Sequence, residues 1–135
     1  TPPQEAPMLH VVKTDKNVDQ TVADLNDAVA AQGFAVLHSY DLKEKMRSKG
    51  VDFTRECRVL EVCNPHHAAK VLGSDMRVSM ALPCRISVWD EGDGKAVIGM
   101  MLPSQMLETF GSDDAMKAVA TEVETAMLKM VEQAS

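Results

Sequence analysis

Apolar residues recur along this chain at two spacings, one typical of β-strands and one typical of helices. Residues 8–14 have the short, β-branched composition of a first strand. After Asn17, apolar residues return every three or four positions, which predicts an amphipathic helix ending near Gly33. Asn17 and Gln20 have the spacing of a capping box at the start of that helix. Its apolar stripe is predicted to be Val18, Val22, Leu25 and Val29.

The same periodicities predict the remaining elements. An Asp-Gly turn within residues 91–94 indicates a tight hairpin between the last two strands. We expect Ser112 to cap a long final helix that begins at Asp113 and ends near Gln133. The other predicted elements, in chain order, are a strand at 34–41 with Phe34, Val36, His38 and Tyr40 on one face, a short charged helix at 42–50, a strand at 53–63, a helix at 65–73, a strand ending at Trp89, a strand at 95–102 and a short helix after Pro103.

This order of elements predicts an α/β (α+β) fold. Helices and strands interleave, yet one strand pair is a plain antiparallel hairpin. We therefore expect a two-layer sandwich in which helices cover one face of a mixed sheet, with the order βαβαβαββα. The chain has 135 residues, which suits a single domain at 8–135 after a flexible mature N-terminus at 1–7.

Composition excludes two classes of partner. The formal net charge is −6, and no block of Lys and Arg is present, so nucleic-acid binding is not expected. No long apolar run occurs that would predict a membrane span.

Ten methionines and few aromatic residues suggest that Met fills the core at most of its positions, although its thioether also suits copper(I).

The first residues, TPPQEAPMLH, favour export of the protein. They lack an initiator methionine and are rich in proline, as expected after removal of a signal peptide. We therefore predict a periplasmic or secreted protein. A start that was simply trimmed is the alternative explanation.

Alternation along the third and fourth strands places apolar groups on both faces of the sheet. On the third strand, one face is predicted to carry Cys57, Val59, Glu61 and Cys63. On the fourth strand, Cys84, Ile86 and Val88 share one face, and Arg85, Ser87 and Trp89 share the other. Helices can cover one face only, so we expect a homodimer to cover the other. Glu61 is the unusual member of its face, and pairing with Arg85 or Arg55 is favoured over a chemical role.

Four residues near the third strand's end and the fourth strand's start are metal-ligand types: Cys63, His66, His67 and Cys84. Asn64 and Pro65 are a favoured helix start, so they need no functional explanation. Adjacent helical residues point about 100° apart, so at most one of the two histidines is expected to bind a metal. Exposure of both histidines is the simpler interpretation.

The cysteines leave three interpretations open. Three cysteines cannot all pair within one chain. Cys63 and Cys84, each beside a proline, are candidates for a disulfide, for thiolate ligands of copper(I) or zinc(II), or for inert buried thiols. No phosphate-binding glycine loop, GxSxG, HExxH or paired-cysteine zinc motif occurs. A Cys63–His66 nucleophile pair would need a geometry that their spacing does not establish.

Two segments, VLEVCNP and LPCRI, resemble a known family. Together with GFAVLHSYDL before them, they make the chain similar to domain-of-unknown-function family 302 (DUF302) over about residues 11–130. That resemblance implies a compact α/β fold, often a homodimer, and no particular activity. The motif positions are Glu61, Cys63, Asn64, Pro65, Leu82, Pro83, Cys84 and Arg85, whereas His66, His67, Cys57 and the methionines are particular to this sequence.

From these observations we expect an exported, non-enzymatic binding or accessory protein. Its ligand site is predicted near Cys63 and Cys84, with Glu61, Asn64 and Arg85 as further candidates, and the expected ligand is a soft metal such as copper, or haem. The alternatives are a thiol-based redox protein or enzyme that uses Cys63, and a purely structural dimeric module.

Overall fold

The computed structural model describes residues 8–111 and 113–135. The predicted flexible segment 1–7 and Ser112, predicted as a helix cap, lie outside the described residues. The elements, in chain order, are β1 (Leu9–Lys13), α1 (Val18–Ala31), β2 (Ala35–Asp41), α2 (Leu42–Ser48), β3 (Cys57–Cys63), α3 (Pro65–Ser74), a 3₁₀ helix (Met76–Met80), β4 (Cys84–Asp90), β5 (Ala96–Met101), α4 (Pro103–Leu107), a second 3₁₀ helix (Glu108–Phe110) and α5 (Asp114–Ala134).

The five strands of the described residues form one sheet in the order β1-β5-β4-β3-β2. The predicted two-layer α+β architecture is confirmed, but the sheet is antiparallel at all four pairings rather than mixed. Interleaved helices usually signal parallel crossovers. Here α2 and α3 instead join neighbouring strands that run in opposite directions, while β1 and β2, which are parallel, lie at opposite edges and do not pair.

Helix starts follow the side-chain caps that the sequence contains. The Asn17 side chain accepts a hydrogen bond from the backbone N–H of Gln20 at 2.8 Å, as the capping pattern predicts. In α5 the cap is Asp113, whose Oδ1 accepts from the N–H groups of Ala115 and Met116. The long helix therefore begins one residue later than predicted.

The hydrophobic core lies between one face of the sheet and the helices α1 and α5. Leu60, Ile86 and Ile98 from the three central strands are fully buried there. They pack in one cluster with the apolar stripes of both helices, including Leu25 of α1 and Met127 of α5. Burial of this apolar stripe, rather than intrinsic propensity, accounts for most of the stability of such helices.

Methionine is used differently from the prediction. Four of the ten are buried in the core: Met100, Met116, Met127 and Met130. Three others, Met76, Met80 and Met101, are among the most exposed large hydrophobic side chains of the described residues. Core filling therefore explains fewer than half of the methionines.

A bulge in β2 changes which side chains share a face. Val36 pairs with Val62, but His38 pairs with Glu61, so Leu37 is an extra residue between them. An extra residue moves the following side chains to the opposite face. The predicted common face of Val36 and His38 is therefore wrong: Val36 packs against the core, and His38 lies on the face away from the helices.

We call the face away from the helices the open face; it carries Val11, Val59, Glu61, Arg85, Trp89 and Gly99. The core cluster to which α1 and α5 contribute lies on the other side of the sheet. The Trp89 indole lies directly over Gly99, because a Cβ built on Gly99 would come within 2.8 Å of two ring atoms. Glycine is needed here for the close approach of the ring, not for a positive φ.

Candidate functional site

The sheet divides the predicted site residues into two groups. Cys63, Asn64, His67 and Cys84 line a cavity between the sheet's end and the helices. Glu61 and Arg85 instead meet on the open face, where their strands pair directly. Glu61 therefore does not line the cavity that Cys63 and Cys84 share.

We call that cavity the inner cavity; it is enclosed by the end of β3 together with α3, α4 and α5. Its volume is about 30 Å³. Apart from the predicted site residues, its walls are mainly apolar, with Phe34, Val71, Leu107, Val119 and Val123 among them. A space of this size accommodates a water molecule or a single ion.

The two histidines diverge, as helical geometry predicts. His66 is exposed and does not line the inner cavity. His67 lies inside, with its ring centroid 6.0 Å from that of Phe34 and its Nε2 at 2.9 Å from Oε2 of Glu122. Its Nδ1 is buried and has no hydrogen-bond partner among the described residues. His67 therefore connects α3 to α5 and presents one uncommitted nitrogen.

Asn64 has a structural role at the start of α3. Its Oδ1 accepts hydrogen bonds from the backbone N–H groups of His66 at 3.0 Å and His67 at 3.3 Å. Pro65 occupies the first helical position, where its missing N–H costs nothing. The Asn-Pro pair is thus a helix cap, as predicted.

A second depression adjoins the inner cavity, and we call it the sulfur groove. It is lined by Met80, Cys84, Arg85, Met101 and Met106, with residues 81–83 forming one wall, and its volume is about 210 Å³. Cys84 and Met106 line both the groove and the inner cavity. The methionines come from three separate elements, so their spacing along the sequence gave no sign that they converge.

All three cysteines are free thiols. Burial raises the pKa of Cys84 to about 11, with a smaller contribution in the same direction from the neighbouring Cys63. Burial also raises the pKa of Cys63 and of Cys57. A thiol with a raised pKa stays protonated at neutral pH, so none of the three has the depressed pKa that a reactive cysteine needs.

On the open face, Glu61 is buried and paired. Tyr40 Oη donates to Oε1 of Glu61 at 3.1 Å, and Nε of Arg85 approaches its Oε2 at 3.4 Å. The hydrogen bond to Glu61 raises the pKa of Tyr40. Of the two partners expected for Glu61, Arg85 is the one observed, whereas Arg55 donates to the carbonyl oxygen of Asp90.

Nitrogen, oxygen and thiolate ligands do not converge in the numbers that a zinc site needs. Within residues 8–111 and 113–135, no group of three or more His, Cys, Asp or Glu side chains is arranged to hold a metal ion. A structural zinc site requires four such ligands, and a catalytic one requires three. The methionine thioethers of the sulfur groove are the additional donors at this end of the sheet.

None of the helices among the described residues is both long and apolar enough to span a membrane.

Comparison with known proteins agrees with the strand motifs around Cys63 and Cys84. Residues 10–134 match the family model described as "Domain of unknown function DUF302". The chain belongs to the DUF302 family. The resemblance noted from VLEVCNP and LPCRI is therefore confirmed over nearly the whole chain.

A solved DUF302 structure has the same fold. It is described as an uncharacterized conserved protein DUF302 from Bacillus stearothermophilus, with 31% sequence identity and a TM-score of 0.86. The match covers 96% of this chain and 100% of that one. No curated protein matches the sequence. Since DUF302 membership names no activity, function has to be argued from the site.

Proposed function

We propose that this DUF302 protein is a non-enzymatic accessory protein that binds a soft metal ion, copper(I), at the Cys84 end of its sheet. The observation that supports this proposal is the position of Cys84, which lines two adjoining cavities that Met106 also lines. Thiolate and thioether sulfur are the donors that select copper(I) over harder ions.

The size of the cavities favours a metal ion over haem, the other ligand expected from the sequence. The inner cavity measures about 30 Å³ and the sulfur groove about 210 Å³. Pockets for organic ligands usually measure roughly 300 to 1,000 Å³. Haem would have to separate elements that pack together in this fold, whereas a single ion needs only side-chain movement.

The raised thiol pKa values count against the alternative of a thiol-based enzyme. A catalytic Cys63 would need a thiolate at neutral pH, but burial favours the neutral thiol. We expect iodoacetamide to modify Cys63 slowly at pH 7 in the folded protein and rapidly after unfolding. Fast modification of the folded protein would support the enzymatic alternative instead.

Metal uptake by the purified, reduced protein tests the proposal. The protein is titrated anaerobically with copper(I) in competition with a coloured copper(I) chelator, and zinc(II) and haem are titrated in parallel. We expect one tightly bound copper(I) per chain and no comparable binding of zinc(II) or haem. Failure of the protein to take copper(I) from the chelator would overturn the proposal and favour a purely structural module.

We further propose that the protein works as a homodimer through its open face. Val11, Val59 and Trp89 give this face an apolar centre, and the charges of Glu61 and Arg85 largely neutralise each other. Five strands of about six residues span roughly 500 Å² per subunit from standard strand spacings, near the lower limit for a stable interface.

Location in the periplasm or outside the cell stays a prediction, which fractionation of the producing cells would check.

A further inference from the structure

We propose that residues 42–54, which we call the flap, open and close as a unit while the rest of the fold stays intact, and that the ion pair between Lys43 and Glu56 is the latch that holds the flap closed. The flap consists of α2 and most of the loop that joins α2 to β3. This conformational device goes beyond the proposed metal binding, because β3 begins just after the flap and ends at Cys63, which lines the inner cavity.

The flap contributes nothing to the hydrophobic core of the described residues. None of its residues is buried, and the half-buried ones are Leu42, Lys43, Met46 and Phe53. None of them belongs to the core cluster or to the apolar side chains that pack against that cluster. By contrast, α1 and α5 each bury an apolar stripe. Because burial is the main source of helix stability in a protein, α2 opens at a much lower cost in free energy than α1 or α5 does.

Polar contacts between the flap and the rest of the protein are few. Among the described residues, Lys43 is the one flap residue whose side chain forms a hydrogen bond or an ion pair with a residue outside the flap. Its Nζ lies 3.0 Å from Oε1 of Glu56. The side chains of Glu44, Arg47 and Ser48 form such contacts within α2 only. Loss of the Lys43 contact therefore leaves the flap attached mainly through the chain at its two ends.

Those two ends are fixed and act as hinges. On the β2 side, Asp41 pairs with Arg58 in the sheet, and its Oδ1 accepts a hydrogen bond from the backbone N–H of Glu44. On the β3 side, the guanidinium of Arg55 donates to the carbonyl oxygen of Asp90 at 2.8 and 3.1 Å. Opening of the flap therefore does not require any strands of the sheet to separate.

The charges around Glu56 leave Lys43 as its main partner. Arg58 is the other cation beside Glu56, with Nη2 at 3.5 Å from Oε2. Two further carboxylates share that guanidinium, Asp19 at 2.7 Å and Asp41 at 3.4 Å. Oε2 of Glu56 is buried and has no hydrogen-bond partner among the described residues. Without Lys43, one cation would face three carboxylates.

An ionic latch makes the flap sensitive to ionic strength. The side chains of Lys43 and Glu56 are 30% and 33% exposed, so dissolved salt screens part of their attraction. The apolar core that holds the rest of the protein together is not screened in this way. We therefore expect the open fraction of the flap to rise with sodium chloride concentration while the remainder of the protein stays folded.

Hydrogen exchange of the folded protein, measured by mass spectrometry, tests the flap. We expect protection of the α2 amides to be at least roughly 100-fold lower than that of α1 and α5, because local opening leaves the core intact. Protection of α2 should fall further when sodium chloride is added. Equal protection of α1 and α2 would overturn the proposal.

A pair of matched substitutions tests the latch. Lys43→Met removes the charge and keeps most of the side-chain length. Lys45→Met is the control, because Lys45 lies in the same helix, is exposed and has no ion pair among the described residues. Each variant loses one trypsin site of the flap, so rates of tryptic cleavage within the flap can be compared directly. We expect exchange and cleavage in the flap to become roughly two- to fivefold faster in Lys43→Met, the factor that a half-exposed ion pair supplies, and to stay unchanged in Lys45→Met.

The outcomes distinguish the latch from the flap. Local opening in the unmodified protein, combined with an equal response to both substitutions, would overturn the role of Lys43 as the latch. Exchange in α1 and α5 that accelerates in Lys43→Met by the same factor as exchange in α2 would show global destabilisation and would overturn independent opening.

Discussion

At the scale of single residues, the environment of Cys84 is the most informative feature of the molecule. Its thiol is buried at the first residue of β4, where the inner cavity and the sulfur groove meet. The titratable or charged side chains that line these two spaces with it are Cys63, His67 and Arg85. Burial disfavours the thiolate and the neighbouring Cys63 acts in the same direction, so the pKa of Cys84 is raised to about 11.

This raised pKa predicts a specific dependence of stability on pH. The ordinary pKa is 9.0, so the unfolded chain loses the Cys84 proton at a lower pH than the folded chain does. The contribution of Cys84 to stability is therefore complete below pH 9 and is lost as pH rises toward about 11. We expect the free energy of unfolding to fall by roughly 2 kcal/mol across that range because of this group.

Denaturant titrations at several pH values would measure the effect, with Cys84→Ala as the control. The variant lacks the thiol, so its free energy of unfolding should fall less steeply over the same pH interval. Equal slopes for the two proteins would show that Cys84 does not ionise as its burial predicts.

Gly99 provides a second prediction at residue scale. A Cβ at this position would lie 2.8 Å from two atoms of the Trp89 ring, so Gly99→Ala must displace the indole. We expect a loss of about 1 to 3 kcal/mol in stability, as for other overpacked sites, together with a changed tryptophan fluorescence spectrum.

Gly73 supplies the matched comparison. It lies inside α3, and a Cβ there would meet no atom within 4 Å. Gly73→Ala should therefore stabilise the protein by about 0.5 to 1 kcal/mol through better helix propensity. A neutral or stabilising effect of Gly99→Ala, measured by the same thermal unfolding, would contradict the packing of Trp89 over this glycine.

At the scale of elements, local chemistry determines where helices begin, while strand pairing determines which faces side chains occupy. The caps Asn17 and Asn64 act as their sequence context predicts. The bulge at Leu37 was not predicted, because an extra residue in a strand leaves no periodic pattern of its own. Its consequence is that His38 lies beside Tyr40 on the open face, with ring centroids 4.4 Å apart.

The cap of α3 can be tested without disturbing the core. Asn64→Ala removes the acceptor for two backbone N–H groups at the helix start and should cost about 1 kcal/mol of stability. Asn64→Asp keeps an acceptor oxygen and should retain most of that stability. Chemical denaturation of the three proteins measures both effects, and equal losses in the two variants would contradict a capping role.

At the scale of the whole molecule, α1 and α5 pack on one face of the sheet, and the open face is the surface that we propose for a homodimer. We expect the unmodified protein to sediment as a dimer at micromolar concentration. Val59→Lys places a charge at the centre of the open face and should produce a monomer, because a buried unpaired charge is costly. Val51→Lys is the control, since Val51 is 54% exposed in the loop before β3.

Sedimentation velocity distinguishes the outcomes of that experiment. A dimer that persists in Val59→Lys and in the unmodified protein alike would place the interface elsewhere. A monomer for the unmodified protein would refute the homodimer proposal, and the apolar groups of the open face would then need another explanation.

The sequence by itself determined the main helices and strands, the two-layer α+β class, the caps Asn17 and Asn64 and the pairing of Glu61 with one of two arginines. These features depend on side-chain periodicity and on groups close together in the chain, which a sequence displays directly. The family followed in the same way, since the motifs VLEVCNP and LPCRI are contiguous.

Only the tertiary structure decided the antiparallel pairing, the bulge, the separation of Glu61 from Cys84 and the convergence of methionines around Cys84. Strand direction depends on how each connection crosses the sheet, and that path has no local signature. Met80, Met101 and Met106 belong to three different elements, so packing alone makes these three residues line one groove.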